Sequence, residues 1–160
     1  MKLSHSPGNI LFQKGNTQYI FFPTGDIYQF TDGNLLLNDF IGSLKEGSAN
    51  NIWLRVEKDG RLLAHPMLGI HSGSQVFRSV DGLRLEGTFE GVAYEVTFRP
   101  FEGLWFWDVR LSGQGQKVDV IYGQDLGLGD KGGVLTNELY LAQYLGHTVF
   151  ETENGYCICS

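Results

Sequence analysis

Alternation with a strict period of two over residues 83–122 constrains the fold of this chain more than any other feature. Leu83, Leu85 and Phe89 are interleaved with Arg84, Glu86 and Thr88, and Val92, Tyr94, Val96 and Phe98 with Glu95, Thr97 and Arg99. Successive side chains of a strand point to opposite faces, so each segment buries one face and wets the other. Glu90 and Gly91 leave room between them only for a tight link. Trp105, Trp107, Val109 and Leu111 then share a face, opposite Leu104, Phe106, Asp108 and Arg110. After GQGQ, the run KVDVIY sets Val118, Val120 and Tyr122 together. These consecutive segments predict an antiparallel meander running from Leu83 to Tyr122.

The same signal recurs upstream. In NIWLRVEKDGRLLAH, Ile52, Leu54 and Val56 take one face, Trp53, Arg55 and Glu57 the other, and Asp59–Gly60 supplies a hairpin turn. ILFQKGNTQYIFFP reads as a hairpin about Lys14, Gly15 and Asn16, and the run carrying Ile27, Tyr28 and Phe30 is bracketed by Gly25 and the Asp32–Gly33 turn. LKEGSANN is polar and loop-like. The chain holds 22 glycines in 160 residues, nearly twice the usual share of about 7%, as many tight turns require.

The expected fold class is therefore all-β, an antiparallel β-sandwich with at most one short helix, and residues 1–160 are expected to form one domain. The helical candidate is Thr136–Tyr144, where Leu139 and Gln143 are four apart and Thr136 or Asn137 can cap. The sequence closes on YCICS, the second strand of a hairpin turning at Asn154–Gly155, with no polar tail. This predicts a sandwich truncated at its C-terminus, with a bare edge prone to self-association into a homo-oligomer.

Composition and motifs exclude several classes. A net charge of −6 with only 12 Lys and Arg supplies no basic stripe for nucleic acid. MKLSHSPGNILF lacks a signal-peptide apolar core and no run approaches a membrane span, so a cytoplasmic protein is expected. Cys157 and Cys159, two apart in a strand, share a face and read as reduced core residues; no second Cys or His pair sits at metal-ligand spacing. P-loop, G-x-S-x-G, H-E-x-x-H and C-x-x-C patterns are absent. His71 beside Ser72 reads as a loop histidine, because adjacent strand residues diverge.

Residues 122–147, YGQDLGLGDKGGVLTNELYLAQYLGH, do not fit the alternating pattern. Gly123, Gly127, Gly129, Gly132 and Gly133 permit positive φ and close backbone approach, but ordering them costs entropy, so something must hold this stretch. Polar and aromatic groups crowd it. Gln124, Asp125, Asp130, Asn137, Glu138, Tyr140, Gln143, Tyr144 and His147 are the candidate substrate-binding or domain-interface residues. Asp125, Asp130 and Glu138 are its acids, and an aspartate in a glycine-rich turn usually bonds its own backbone. Trp53 joins the candidates because it lies among Arg55 and Glu57 on a polar face, whereas Trp105 and Trp107 occupy the most apolar face of their strand and are expected in the core.

In order and spacing, SGS at 72–74, LWFWDV at 104–109, the strand end VDVIYGQD, the glycine-rich turn, NELY and QY followed by His147 resemble the N-terminal sandwich region of cellobiose-phosphorylase-like glycoside phosphorylases. The closest likeness is to the 1,2-beta-oligoglucan phosphorylases. The resemblance implies a supersandwich-like domain at the N-terminus of a larger enzyme, one that cleaves β-linked glucose oligosaccharides by inverting phosphorolysis. In that chemistry a single carboxylic acid protonates the glycosidic oxygen while inorganic phosphate attacks the anomeric carbon. It also implies that the acid lies on an (α/α) barrel domain of the same parent chain, that this domain contributes no catalytic residue, and that no cofactor or metal is needed. A stand-alone carbohydrate-binding sandwich module is the alternative.

Overall fold

The turns at Asp59–Gly60 and Glu90–Gly91 carry both central residues at positive φ (51° and 71°, 48° and 79°), the twist that a two-residue hairpin requires. They join β5 (Asn51–Lys58) to β6 (Arg61–Pro66) and β8 (Leu83–Phe89) to β9 (Val92–Pro100). The computed structural model describes residues 8–142, 146–153 and 155–159. Its other strands are β1 (Ile10–Lys14), β2 (Thr17–Phe21), β3 (Ile27–Asp32), β4 (Leu35–Leu36), β7 (Gln75–Arg78), β10 (Trp105–Ser112), β11 (Lys117–Gly123), β12 (Gly129–Asp130), β13 (Thr148–Thr152) and β14 (Gly155–Cys159); α1 spans Lys131–Ala142. All pairings are antiparallel. The sheet orders are β1-β2-β3-β4-β12, β10-β9-β8-β7, β11-β5-β6 and β13-β14.

The first three sheets turn their apolar faces into one core, which makes the fold an all-β sandwich. Ile10, Phe12, Tyr19, Phe21 and Phe30 come from the first, Leu83, Leu85, Val92, Tyr94, Val96 and Phe98 from the second, and Ile52, Leu54 and Val56 from the third. Trp105, Trp107, Val109 and Leu111 pack against this cluster, half-buried. Tyr19 is fully buried, and its hydroxyl donates to the carbonyls of Phe101 and Leu104 at 2.9 and 2.8 Å. Burial, with the charge of Asp32 adding to it, pushes its phenol up to about 12.

The meander expected from Leu83 to Tyr122 holds for β8, β9 and β10 and then ends. β11 leaves that sheet and pairs with β5, setting Val118, Val120 and Tyr122 opposite Val56, Leu54 and Ile52. An alternating strand satisfies either sheet equally, so the pattern could not settle the choice. The helix also differs from expectation. It begins at Lys131, inside the glycine-rich stretch, and Asn137 (φ −159°, ψ 81°) interrupts it. Asp130 caps the first turn, its carboxylate accepting the Gly133 amide at 2.7 Å. Gln143 and Tyr144, at the end of the expected helix, lie outside the described residues.

β13 and β14 form their own two-stranded sheet, with Cys157 opposite Phe150 and Cys159 opposite Thr148; Asn154, expected in the turn between them, lies outside the described residues. Val149 and Phe150 are exposed. The side chains of Cys157 and Cys159, expected in the core, lie outside the described residues.

Asp26 follows the Gly25 turn and is 3% exposed. Its Oδ2 accepts the Ile70 amide at 3.3 Å, and Gly69 approaches so closely that a Cβ there would sit 2.1 Å from the same oxygen. Burial raises the Asp26 pKa, against the Ile70 amide, the charge of His71 and the Ser48 amide. A carboxyl harder to ionise in the folded chain contributes most below the unfolded carboxylate range and loses that contribution as pH rises through its raised value. The stability of Asp26→Asn relative to wild type should therefore improve between about pH 4 and pH 7. Chemical denaturation across that range measures it, and parallel curves would contradict the assignment.

Candidate functional site

The glycine-rich stretch is a strap laid on the turn that follows β3. Asn38 is fully buried there; its Oδ1 accepts the Phe30 amide at 2.8 Å and its Nδ2 donates to the Phe40 carbonyl at 2.5 Å. Onto this turn the strap is fastened by successive bonds: Phe40 amide to Asp125 Oδ2 at 3.0 Å, Gly127 amide to the Leu37 carbonyl at 3.0 Å, the β12–β4 pairing, and Lys131 amide to the Asn34 carbonyl at 2.9 Å. Asn34 also donates its side-chain amide to Asp130. Asn50, fully buried, accepts the Asp125 amide through Oδ1 at 2.7 Å.

Gly123 and Gly127 serve space rather than conformational freedom. No glycine from Gly123 to Gly133 has positive φ; Leu128 does, at 53°. A Cβ on Gly127 would lie 2.7 Å from the Asn38 carbonyl oxygen and from Asp39 Cα, so only glycine lets these backbones meet. A Cβ on Gly123 would lie 2.9 Å from the Trp53 ring.

The candidate residues fall into separate places. Gln124 and Asp125 are half-buried at the end of β11. Gln124 accepts the Tyr122 hydroxyl through Oε1 and donates from Nε2 to the Asp125 carbonyl at 2.8 Å. Tyr122 is exposed overall, but its hydroxyl lies 3.4 Å from Trp105 Nε1, and burial of that end raises its pKa. Burial also raises the pKa of Asp125, opposed by the Phe40 amide, the Asn50 side chain and the Asp39 amide. Asp130 is the helix cap. Trp53 lies half-buried on the outer face of β11-β5-β6, beside Ile121 and Pro66, while Tyr122 pairs with Ile52 on the inner face. His147 is exposed ahead of β13. Asn137 marks the helix break. Glu138 and Tyr140 lie on α1, their side chains outside the described set, as are Gln143 and Tyr144 altogether.

Asn38 and Asn50 are the organising residues that sequence reasoning passed over, because buried asparagine and loop asparagine look alike in a sequence. The only signal was their place beside apolar runs, in LLLND and ANNIWL. Among the described residues, no His, Cys, Asp and Glu group could hold a metal ion. No helix is long and apolar enough to cross a membrane, again among the described residues.

Comparison with known proteins gives this architecture a family. Residues 20–160 match the SOGP N-terminal domain. The chain belongs to that family. It is also similar to a 1,2-beta-oligoglucan phosphorylase of Listeria innocua serovar 6a (strain ATCC BAA-680 / CLIP 11262), 27% identical over 146 residues. That alignment covers 91% of this chain and 13% of the Listeria protein, so the SOGP N-terminal domain seen here spans about an eighth of the relative's length.

Since the strap closes by backbone contact, Gly127→Ala should lower stability by about 1–3 kcal/mol, the range for a forced clash at a close approach. Gly146→Ala, where a Cβ meets nothing, should change little. Thermal melts of the two variants check this; equal melting temperatures would mean that the strap is not held as described.

Proposed function

We propose that this chain is the non-catalytic N-terminal domain of a glycoside phosphorylase acting on 1,2-linked β-glucose oligosaccharides. One observation carries the reading: Asp125, the acid at the head of the glycine-rich stretch, spends its carboxylate on the Phe40 amide and its own amide on Asn50. An acid committed to two backbone turns braces a loop and is poorly placed to protonate a leaving group. Family membership and the Listeria relative support the same reading.

In the parent enzyme, inorganic phosphate is the co-substrate, and a carboxylic acid on an (α/α) barrel of the same chain protonates the glycosidic oxygen while phosphate attacks the anomeric carbon. The β-glucan oligosaccharide is then a partner of the whole enzyme, which we place in the cytoplasm. On this chain, Trp53, His147 and the polar positions of α1 are the residues left to meet the barrel or the sugar.

The purified chain, incubated with 1,2-linked glucose oligomers and phosphate, should release no glucose 1-phosphate. In the parent, Asp125→Ala should lower the melting temperature by several degrees, as expected for about 1–2 kcal/mol from lost hydrogen bonds, with unchanged turnover per folded molecule. Phosphate-dependent release by the chain alone, or lost turnover at unchanged stability, would overturn the reading.

A further inference from the structure

The outer face of the β10-β9-β8-β7 sheet carries a groove of about 770 Å³, lined by no residue of the strap. Register builds it. Thr88, Ala93 and Ser112 stand opposite one another on β8, β9 and β10, and their short side chains leave a low floor. One step along the strands, Gln75, Glu86, Glu95 and Arg110 stand in a second row across β7 to β10 and raise a wall of long polar groups. Between the rows, Gly87, Tyr94 and Leu111 offer the groove mainly backbone: Gly87 has no side chain, and Tyr94 and Leu111 pack with the core.

The wall is electrically balanced. Arg84 pairs with Glu86 at 3.1 Å and with Glu95 at 3.6 Å, and Arg110 pairs with Glu95 at 3.5 Å, so the two acids meet two guanidinium groups. Such a surface gives neither an anion nor a cation a net field to follow, yet it presents carboxylate, amide, guanidinium and hydroxyl groups at one level. Its floor, three strands wide, is about 10 Å long. A β-glucopyranose is built to match: C–H groups on its two faces and hydroxyls around its equator, able to bond planar carboxylates and guanidinium groups in pairs. The volume falls within the range of small-ligand sites.

We propose that this groove binds a neutral oligosaccharide of β-linked glucose, its rings over Thr88, Ala93 and Ser112 and its hydroxyls on Glu86, Glu95 and Arg110. The identity of the sugar rests on the phosphorylase reading; the site rests on the groove. In the parent, the domain would then hold a stretch of glucan chain at a distance from the reacting end. Arg110, whose side chain is 81% exposed, is free to close on a bound ring without disturbing the core.

The test is a titration of the 160-residue chain with linear 1,2-linked β-glucose oligosaccharides, followed by backbone amide NMR. Saturable shifts should concentrate at Gly87, Thr88, Ala93, Glu95 and Ser112. Ala93→Phe, which fills the floor from the solvent side, should weaken binding at least about tenfold. Arg110→Ala should also weaken it by about tenfold, the equivalent of one charge-assisted hydrogen bond. Unchanged core amides show that each variant folds, and the surface Arg110 variant keeps the test open if Ala93→Phe does not. Absent saturable shifts, shifts confined to other faces, or full affinity in folded variants would overturn the groove. Phosphorolysis by the parent without binding here would leave the phosphorylase reading intact. Binding here with an inactive parent would sink that reading and leave the groove standing.

Discussion

The ring of Phe98 is the contact on which the sandwich depends. It lies 4.8 Å from the Phe21 and Trp107 rings, 5.3 Å from Tyr19, 5.6 Å from Phe30 and 6.2 Å from Phe12, so one side chain of β9 touches β1, β2, β3 and β10. Alternation tells each strand which face to bury; Phe98 makes the buried faces of two sheets the same place. Removing a core ring of this kind costs about 3–5 kcal/mol, a large share of the stability of a domain this size. The Tyr19 hydroxyl extends the arrangement by tying down the 101–104 turn at one end of the sandwich.

Where a strand has one wet and one dry face, the sequence was legible to the residue: Ile52, Leu54 and Val56, and Val92, Tyr94, Val96 and Phe98, are buried as their alternation requires. Sheet membership was not legible. Val118, Val120 and Tyr122, which share a face of β11, are as apolar as the inward residues of β10 yet stay exposed, and the choice of β5 as partner follows from a crossover through residues 113–116 that no local pattern encodes. The helix start was hidden too, because Gly132 and Gly133 are poor helix formers that a cap at Asp130 nevertheless brings into the first turn. Sites were less legible than faces. The role of Asp125 depends on Phe40 and Asn50, distant in sequence, and nothing beside Asp125 announces them.

Glycine-rich stretches invite readings about ligands and motion. Here close approach explains at least part of this one: Gly127 passes against the backbone of Asn38 and Asp39, and Gly123 lies beneath Trp53. With Asp125, Asn38 and Asn50 spent on the same junction, the strap fixes where β11 ends and α1 begins. Asn137, among the described candidates, sits on α1 directly beyond that strap. The Listeria relative has most of its length outside the 13% that this chain matches.

The strap is closed in the chain by itself, before any partner or sugar arrives. Native-state hydrogen exchange of the Phe40 and Gly127 amides tests it most directly, since each is bonded across the junction, to Asp125 and to Leu37. Both amides should show protection approaching that of Val96 and Phe98 on β9. Exchange at the rate of an open loop, with the β9 amides still protected, would contradict it.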